Sequence, residues 1–203
     1  MQRALSALAV VTAAALVAGD AASAHSSSRT RVTVIGDSVM ASFDYVPAAR
    51  RYLGKGFDLH SDAGVCRRLV AASCVFQGSK PLTVLELVSA EGRTLGPVVV
   101  INVGYNDWTA VYDVDRVMRA LTFAGVRSVI WVTLRQTTSN YAGNNNRIRA
   151  AARRWKQLVV ADWNAYSSGK AWFREDGLHL TPTGAFGLAR LLRPLVLAGA
   201  QSG

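Results

Sequence analysis

The chain has 203 residues, of which 50% are hydrophobic and 18% are charged, which is enough apolar material for one globular core and excludes general disorder. Its formal net charge is +10. Such a surface attracts anionic polymers through long-range potential, but the arginine pairs 50–51, 67–68 and 153–154 are scattered rather than gathered in one run. Because no nucleic-acid-binding motif accompanies them, we do not expect nucleic acid as a partner.

Residues 1 to 24 have the pattern of a cleavable secretion signal. Arg3 supplies the positive start, an uncharged apolar run of 16 residues covers 4–19, and Ala22-Ser23-Ala24 is a small-residue cleavage site. An uncleaved membrane anchor is the alternative, but a spanning helix normally needs about 20 apolar residues. We therefore predict export with cleavage near Ala24, a secreted or extracytoplasmic location and no membrane span afterwards. A short linker at 25–30 would precede a single domain at 31–200.

The two cysteines, Cys66 and Cys74, lie eight residues apart. In an exported protein disulfides form and persist, so a local bridge is the favoured interpretation. A zinc pair is the alternative, but structural zinc takes four ligands and no histidine follows His60 in this segment. We expect the bridge to restrain the loop between the two cysteines, and whether that loop acts as a lid stays open.

Short apolar runs rich in β-branched residues predict buried strands at 31–36, 97–104, 128–134 and 157–162, with a weaker candidate at 57–61. Helical patterns alternate with these runs, at about 41–53, 81–90, 113–124, 144–155 and 182–197. The alternation predicts a three-layer α/β/α sandwich with a parallel, flavodoxin-like sheet of about five strands.

In such a sheet, functional groups collect in the loops at the carboxyl ends of the strands. Ser38, Gly64 and Asn106 each follow a predicted strand directly, and the segment 176–179 precedes the last helix. We therefore expect these four stretches to meet on one rim of the sheet.

Four short blocks occur in order along the chain, and together they are far more specific than any one alone. They are Gly36-Asp37-Ser38, Asp62-Ala63-Gly64, Gly104-Tyr105-Asn106-Asp107 and Asp176-Gly177-Leu178-His179. In this order they resemble the blocks of the SGNH, or GDSL-like, hydrolases, over a span from about Arg31 to Leu197. The first and last blocks are most similar to those of SGNH domains linked to bacterial cell-envelope O-acetylation.

The resemblance implies a serine nucleophile at Ser38, a general base at His179 and an orienting carboxylate at Asp176. A serine hydroxyl needs a neighbouring base, histidine can accept and return a proton near neutral pH, and a carboxylate fixes the imidazole tautomer. The implied oxyanion donors are the backbone amides of Ser38 and Gly64 and the side-chain amide of Asn106.

Each block also has a purely structural interpretation when it is taken alone. Ser38 would cap the next helix, Gly64 would form a strand-end turn, Asn106 would be a satisfied loop amide, and Asp-Gly at 176–177 would be a turn. We interpret Asp37 as a hydrogen-bond acceptor that orders the loop and not as the triad acid.

Outside the blocks, His25 and His60 lack a carboxylate at suitable spacing. Four aromatic residues fall near the predicted rim and could line a substrate groove, although core or surface packing is the favoured interpretation for each one alone: Tyr45, Trp108, Tyr112 and Tyr141.

The resulting hypothesis is a secreted serine esterase that hydrolyses acyl or acetyl esters through an acyl-serine intermediate. Its substrate would be a small-molecule, lipid or glycan ester, an anionic cell-envelope polymer is a candidate partner, and we expect a monomer without metal or cofactor. An O-acetyltransferase acting on cell-envelope glycans with the same triad, and a catalytically silent envelope-binding protein, are the alternatives.

Overall fold

The structure is a computed structural model that describes residues 29–202. Five strands alternate with helices along the chain: β1 Arg31–Gly36, β2 Asp58–Ala63, β3 Val98–Asn102, β4 Ser128–Val132 and β5 Leu158–Ala161. The helices are α1 Ser42–Tyr45, α2 Pro47–Gly54, α3 Val84–Glu91, α4 Val114–Phe123, α5 Ser139–Ala152, α6 Trp163–Tyr166 and α7 Pro182–Gln201. Short 3-10 turns lie at Gly92–Leu95 and Thr109–Val111.

The strands form one parallel sheet of five strands in the order β2-β1-β3-β4-β5. This is the flavodoxin-like order, so the predicted fold class is confirmed. The strand order reverses between β1 and β3, and ligands of open α/β sheets bind in the crevice outside that point. The loop that carries Ser38 follows β1 and the loop that carries Asn106 follows β3, so both lie at the reversal.

Alternate side chains of the strands enter two separate cores. Val32, Val34 and their neighbours on β3 and β4 pack against α1, α2 and α7. Ile35 and the intervening residues of β3 and β4 pack against α3, α4 and α5. Burial on both faces explains why the central strands are continuous apolar runs without polar alternation.

The helix predicted at 41–53 is broken in two at Val46. Pro47 occupies the first position of α2, where its missing N–H costs nothing, and it disfavours the helical conformation of the residue before it. The helix predicted from 81 begins instead at Val84, because Thr83 and Glu86 form a capping box.

Helix α5 begins at Ser139, five residues before the predicted start at 144. Its first turns contain several asparagines, which have low helix propensity in isolation. Here Asn144 and Asn145 are buried and bonded to loop backbone, so tertiary contacts outweigh the propensity.

Within residues 29–202, no helix is long and apolar enough to cross a membrane. The predicted secretion signal at 1–24 and most of the linker lie outside the described residues. The predicted disulfide is confirmed, with Cys66 and Cys74 bonded and their Cα atoms 5.1 Å apart.

Candidate active site

Ser38, His179 and Asp176 form a continuous hydrogen-bonded relay at the carboxyl edge of the sheet. The Oγ of Ser38 lies 2.9 Å from Nε2 of His179, and Nδ1 of His179 lies 2.7 Å from Oδ2 of Asp176. The serine and the histidine are 141 residues apart in sequence, so the fold alone creates this contact. With Nδ1 protonated toward the carboxylate, Nε2 is free to accept the serine proton.

The segment from Phe173 to Leu180 is a small closed loop that holds the histidine in place. Its ends form an isolated antiparallel bridge, and the Arg174 N–H donates to the His179 carbonyl at 2.7 Å. Gly177 has a φ of +67°, a left-handed conformation that favours glycine. The Arg135 guanidinium lies 3.8 Å from the ring centroid of Phe173 and donates to the Gly177 carbonyl, so it ties this loop to the end of β4.

Asp176 is ionised over the whole neutral range. Its second oxygen, Oδ1, accepts the backbone N–H groups of Leu178 and His179 at 2.8 and 2.9 Å. Together with the contact to the His179 ring, these bonds lower the pKa of Asp176 to about 2, the Leu178 N–H having the largest effect. The carboxylate is therefore a fixed negative charge behind the imidazole.

Asp37 is fully buried beside the nucleophile and organises two loops. One oxygen accepts the Val39 N–H at 3.1 Å, and the other accepts the N–H groups of Gly104 and Tyr105, each at 3.2 Å. Burial raises the pKa of Asp37 to about 7, against the lowering effect of these hydrogen bonds. The interpretation of Asp37 as a loop-ordering acceptor is confirmed.

The three predicted oxyanion donors differ in how they are engaged. Among residues 29–202, the Ser38 backbone N–H donates to no protein acceptor. The side-chain amide of Asn106 donates one N–H to the Arg67 carbonyl at 3.2 Å and has a second N–H to give. The Gly64 N–H, by contrast, donates to the Gly36 carbonyl at 3.0 Å as a continuation of the β1–β2 ladder.

Glycine is needed at position 64 because of close packing and not because of an unusual backbone dihedral angle. A Cβ at this position would lie 2.7 Å from Cβ of Pro81 and 3.1 Å from Nη2 of Arg67. The glycine therefore lets the loop after β2 fold tightly over the strand end, next to the Arg67 side chain.

Arg67 connects the disulfide loop to the candidate site, and sequence reasoning did not identify it. Its side chain is almost completely buried and donates to the carbonyls of Asp62 and Leu82 and to the Asp62 carboxylate, at 2.7, 2.9 and 2.9 Å. Its own carbonyl accepts the Asn106 amide. Since Arg67 follows Cys66 directly, the disulfide anchors the backbone that orients Asn106.

Three asparagines of α5 hold the other side of the same rim. Asn144 donates to the Gly104 carbonyl at 3.0 Å, and Asn140 donates to the Asp107 carbonyl at 2.6 Å. Asn145 bonds the N–H and the carbonyl of Leu134, both at 2.7 Å. The spacing of four residues between positions 140 and 144 on one helix face was the available signal for this role.

Asp107, the last residue of the third block, is a further buried carboxyl. It accepts the Leu69 N–H at 3.0 and 3.2 Å and so binds the disulfide loop to the loop after β3. Burial raises its pKa to about 6.

Asn106 is one of the residues that line a groove of about 290 Å³. Trp108 forms one of its walls with 68% of its surface exposed, and Tyr141 forms another. Of the other two aromatic candidates, Tyr45 is partly exposed and donates to the Leu180 carbonyl at 3.1 Å beneath Arg174. Tyr112 is fully buried and bonded to the Val103 carbonyl, so it packs in the core and does not line the groove.

The arrangement places a serine hydroxyl against an imidazole and a carboxylate behind that imidazole, while the Ser38 backbone N–H and one N–H of Asn106 have no protein acceptor among residues 29–202. Those are the parts that acyl transfer through serine requires. Among the described residues, no three or more His, Cys, Asp or Glu side chains gather closely enough to hold a metal ion.

No protein-family model matches the chain, and no curated protein matches it. Solved structures do. A candidate arylesterase from Agrobacterium tumefaciens strain C58 aligns with a TM-score of 0.60 at 14% identity, over 83% of this chain and 99% of that one. A family 3 carbohydrate esterase from Clostridium thermocellum aligns with a TM-score of 0.54 at 12% identity, over 85% of this chain and 98% of the other. At these identities the likeness shows a shared fold.

Proposed function

We propose that this protein is a serine esterase of the SGNH type that hydrolyses carboxylic esters through an acyl-serine on Ser38. The single observation that carries the proposal is the unbroken relay from Ser38 through His179 to Asp176, with contacts of 2.9 and 2.7 Å. The four ordered sequence blocks support it, as does the shared fold with two proteins described as esterases.

In the proposed first step, Oγ of Ser38 attacks the ester carbonyl carbon while its proton passes to Nε2 of His179. The carbonyl π electrons move onto oxygen and give a tetrahedral oxyanion. When this intermediate collapses, the C–O bond to the alcohol breaks, and the leaving oxygen takes the proton from Nε2. Water then repeats the sequence on the acyl-serine, with His179 again accepting and returning one proton.

The ionised Asp176 supports both steps electrostatically. It keeps the proton of the neutral imidazole on Nδ1, and it stabilises the imidazolium when Nε2 is protonated. Because its pKa is held at about 2, it stays charged at every pH at which the esterase would work.

The oxyanion would be held chiefly by the Ser38 backbone N–H and the second N–H of Asn106, since both are without protein acceptors among residues 29–202. Gly64 would add a third donor by sharing its N–H between the Gly36 carbonyl and the oxyanion. Removing a single such donor costs on the order of 100-fold to 1000-fold in rate in serine hydrolases.

We place the substrate in the groove that leads from Asn106 past Trp108 and Tyr141. An exposed tryptophan beside the oxyanion donors offers a flat apolar surface on which one side of an ester can rest. The neighbour described as a carbohydrate esterase makes O-acylated sugars the first substrates to examine.

We also propose that the protein works outside the cytoplasm after cleavage near Ala24. The Cys66–Cys74 disulfide supports this location, because disulfides persist in oxidising compartments.

The test is hydrolysis of p-nitrophenyl acetate by the purified protein and by Ser38→Ala and His179→Ala. Each variant should lose at least about 1000-fold in kcat with an unchanged melting temperature. Ser89→Ala is the matched control, since Ser89 is an exposed serine on α3 that bonds only its own helix. Full activity in Ser38→Ala would refute the assignment.

Whether the acyl group passes to water or to a sugar hydroxyl is decided by a second assay. The protein is given O-acetylated glycans with and without an acceptor oligosaccharide, and free acetate is compared with acetylated acceptor. Esterase action predicts acetate as the main product in both mixtures. Transfer as the main outcome would instead assign the protein as an O-acetyltransferase.

A further inference from the structure

A second concave surface lies away from Ser38, on the outer side of α2. It is a groove of about 710 Å³, lined by α2, by the turn from Lys55 to Phe57 that leads into β2, and by Arg29. All strands of a parallel sheet begin at one edge, and Arg29 and Phe57 closely precede the starts of β1 and β2. The groove therefore reaches the edge opposite to the one that carries the candidate active site.

The groove is strongly basic. Four cations line it, Arg29, Arg50, Arg51 and Lys55, and no acidic residue does. Arg50 has one partner, Asp44, at 3.8 Å. Within residues 29–202, no carboxylate lies within 4.0 Å of the other three side chains. Part of the +10 net charge is therefore concentrated here, and of the four cations only Arg50 has a carboxylate partner among residues 29–202.

Arg193 of α7 lies next to two aromatic residues that line the groove. Its guanidinium lies 5.7 Å from the ring centroid of Tyr52 and 6.0 Å from that of Phe57. It also donates to the carbonyls of Tyr52 and Leu53 at 3.1 and 3.0 Å. Arg193 thus adds a fifth cation beside the groove, and the chain carries no nucleic-acid-binding motif.

We propose that this groove binds an acidic polysaccharide, a glycan chain with carboxylate or phosphate substituents. Guanidinium groups bind both anions through paired N–H donors, and several of them along an open groove match the repeated charges of a chain. The groove is wide and open to solvent, so an extended polymer chain can lie across it. Binding here would hold the protein on an anionic matrix while Ser38, on the opposite edge, stays accessible.

The experiment uses polygalacturonate as the probe and measures its affinity for the full mature protein by biolayer interferometry at low and high salt. The variant Arg51→Gln/Lys55→Gln removes two charges from the groove. The control Arg119→Gln/Arg127→Gln removes two exposed charges from the region of α4 and β4. Melting temperature and p-nitrophenyl acetate turnover are recorded for every variant to show that the fold and the rim are intact.

Binding should weaken on the order of tenfold in the groove variant and less than about twofold in the control, since each exposed ion pair contributes up to about a fivefold change. Raising the salt should weaken wild-type binding more steeply than that of the groove variant. Equal losses in both variants, or no binding by the wild type at low salt, would overturn the proposal. Stronger binding to single-stranded DNA or to anionic phospholipid vesicles through the same two residues would also overturn it.

Discussion

Replacing Asp37 by asparagine should change how the stability of the protein depends on pH. Asp37 is completely buried, and burial raises its pKa to about 7, above the value of 3.8 that applies to the unfolded chain. The folded protein therefore holds the proton more tightly than the unfolded chain does. The resulting stabilisation is complete below about pH 4 and is lost as the pH rises through 7.

The size of the effect follows from the two pKa values. Between pH 5 and pH 8, linkage predicts that the wild type loses about 2 to 3 kcal/mol of unfolding free energy through this group alone. An asparagine side chain cannot ionise, so the Asp37→Asn variant should lack this loss. For a domain of this size, the difference corresponds to roughly 5 to 10 °C in melting temperature.

The assay is urea denaturation of both proteins, followed by circular dichroism at pH 5, 6, 7 and 8. Titrating groups that do not interact with Asp37 contribute equally to both proteins and cancel in the difference, whereas the charge of Asp107 raises the pKa of Asp37 and its contribution cancels only in part. We predict that Asp37→Asn gains stability relative to the wild type as the pH rises. If the unfolding free energies of the wild type and the variant instead change with pH in the same way, the three backbone N–H donors keep Asp37 ionised at all these pH values. That result would refute the reasoning from burial.

Three further predictions concern the rim. Asp176→Asn should lower kcat by about 100-fold to 10,000-fold with little change in KM, because the imidazole loses its fixed tautomer. An undiminished kcat would show that Asp176 does not act on His179 in the reaction. Cys66→Ser/Cys74→Ser should cost about 2 to 3 kcal/mol of unfolding free energy and lower kcat, since the loop that orients Asn106 is released. Denaturant titration measures the first effect and ester assays the second, and an unchanged kcat would show that the disulfide does not support the site. Trp108→Ala should raise KM for an O-acetylated glycan several-fold and leave turnover of p-nitrophenyl acetate unchanged; equal effects on both substrates would argue against a sugar-facing role.

The sheet was predictable because its strands are buried on both faces. β1, at Arg31–Gly36, matches the predicted run, and the other central strands fall within theirs. Continuous apolar runs are typical of strands that are buried on both faces, as the strands of a covered parallel sheet are. Strand β2 was the weakest prediction because its residues are only partly buried and largely polar.

The relay was predictable for a different reason, since its members lie in two short sequence blocks, one directly after β1 and one just before α7. Arg67 and the asparagines of α5 were missed because their roles depend on tertiary contacts, and the pairs Arg67–Asn106, Asn140–Asp107 and Asn144–Gly104 are 33 to 40 residues apart in sequence. The spacing of Asn140 and Asn144 places both on one helix face but does not identify their partners. Gly64 was predicted as a site residue, but the packing that requires glycine there was not. Its neighbour Pro81, which excludes a side chain, becomes visible only when the loop is folded.

Covalent labelling by a fluorophosphonate tests the central claim most directly. The purified protein is treated with the probe, digested, and the modified residue is located by mass spectrometry, with Ser38→Ala and Ser89→Ala treated in parallel. We predict one adduct on Ser38 that is absent from Ser38→Ala, present in Ser89→Ala and abolished when His179 is replaced by alanine. An adduct on another serine, or labelling that persists in Ser38→Ala, would contradict the proposal that Ser38 is the nucleophile.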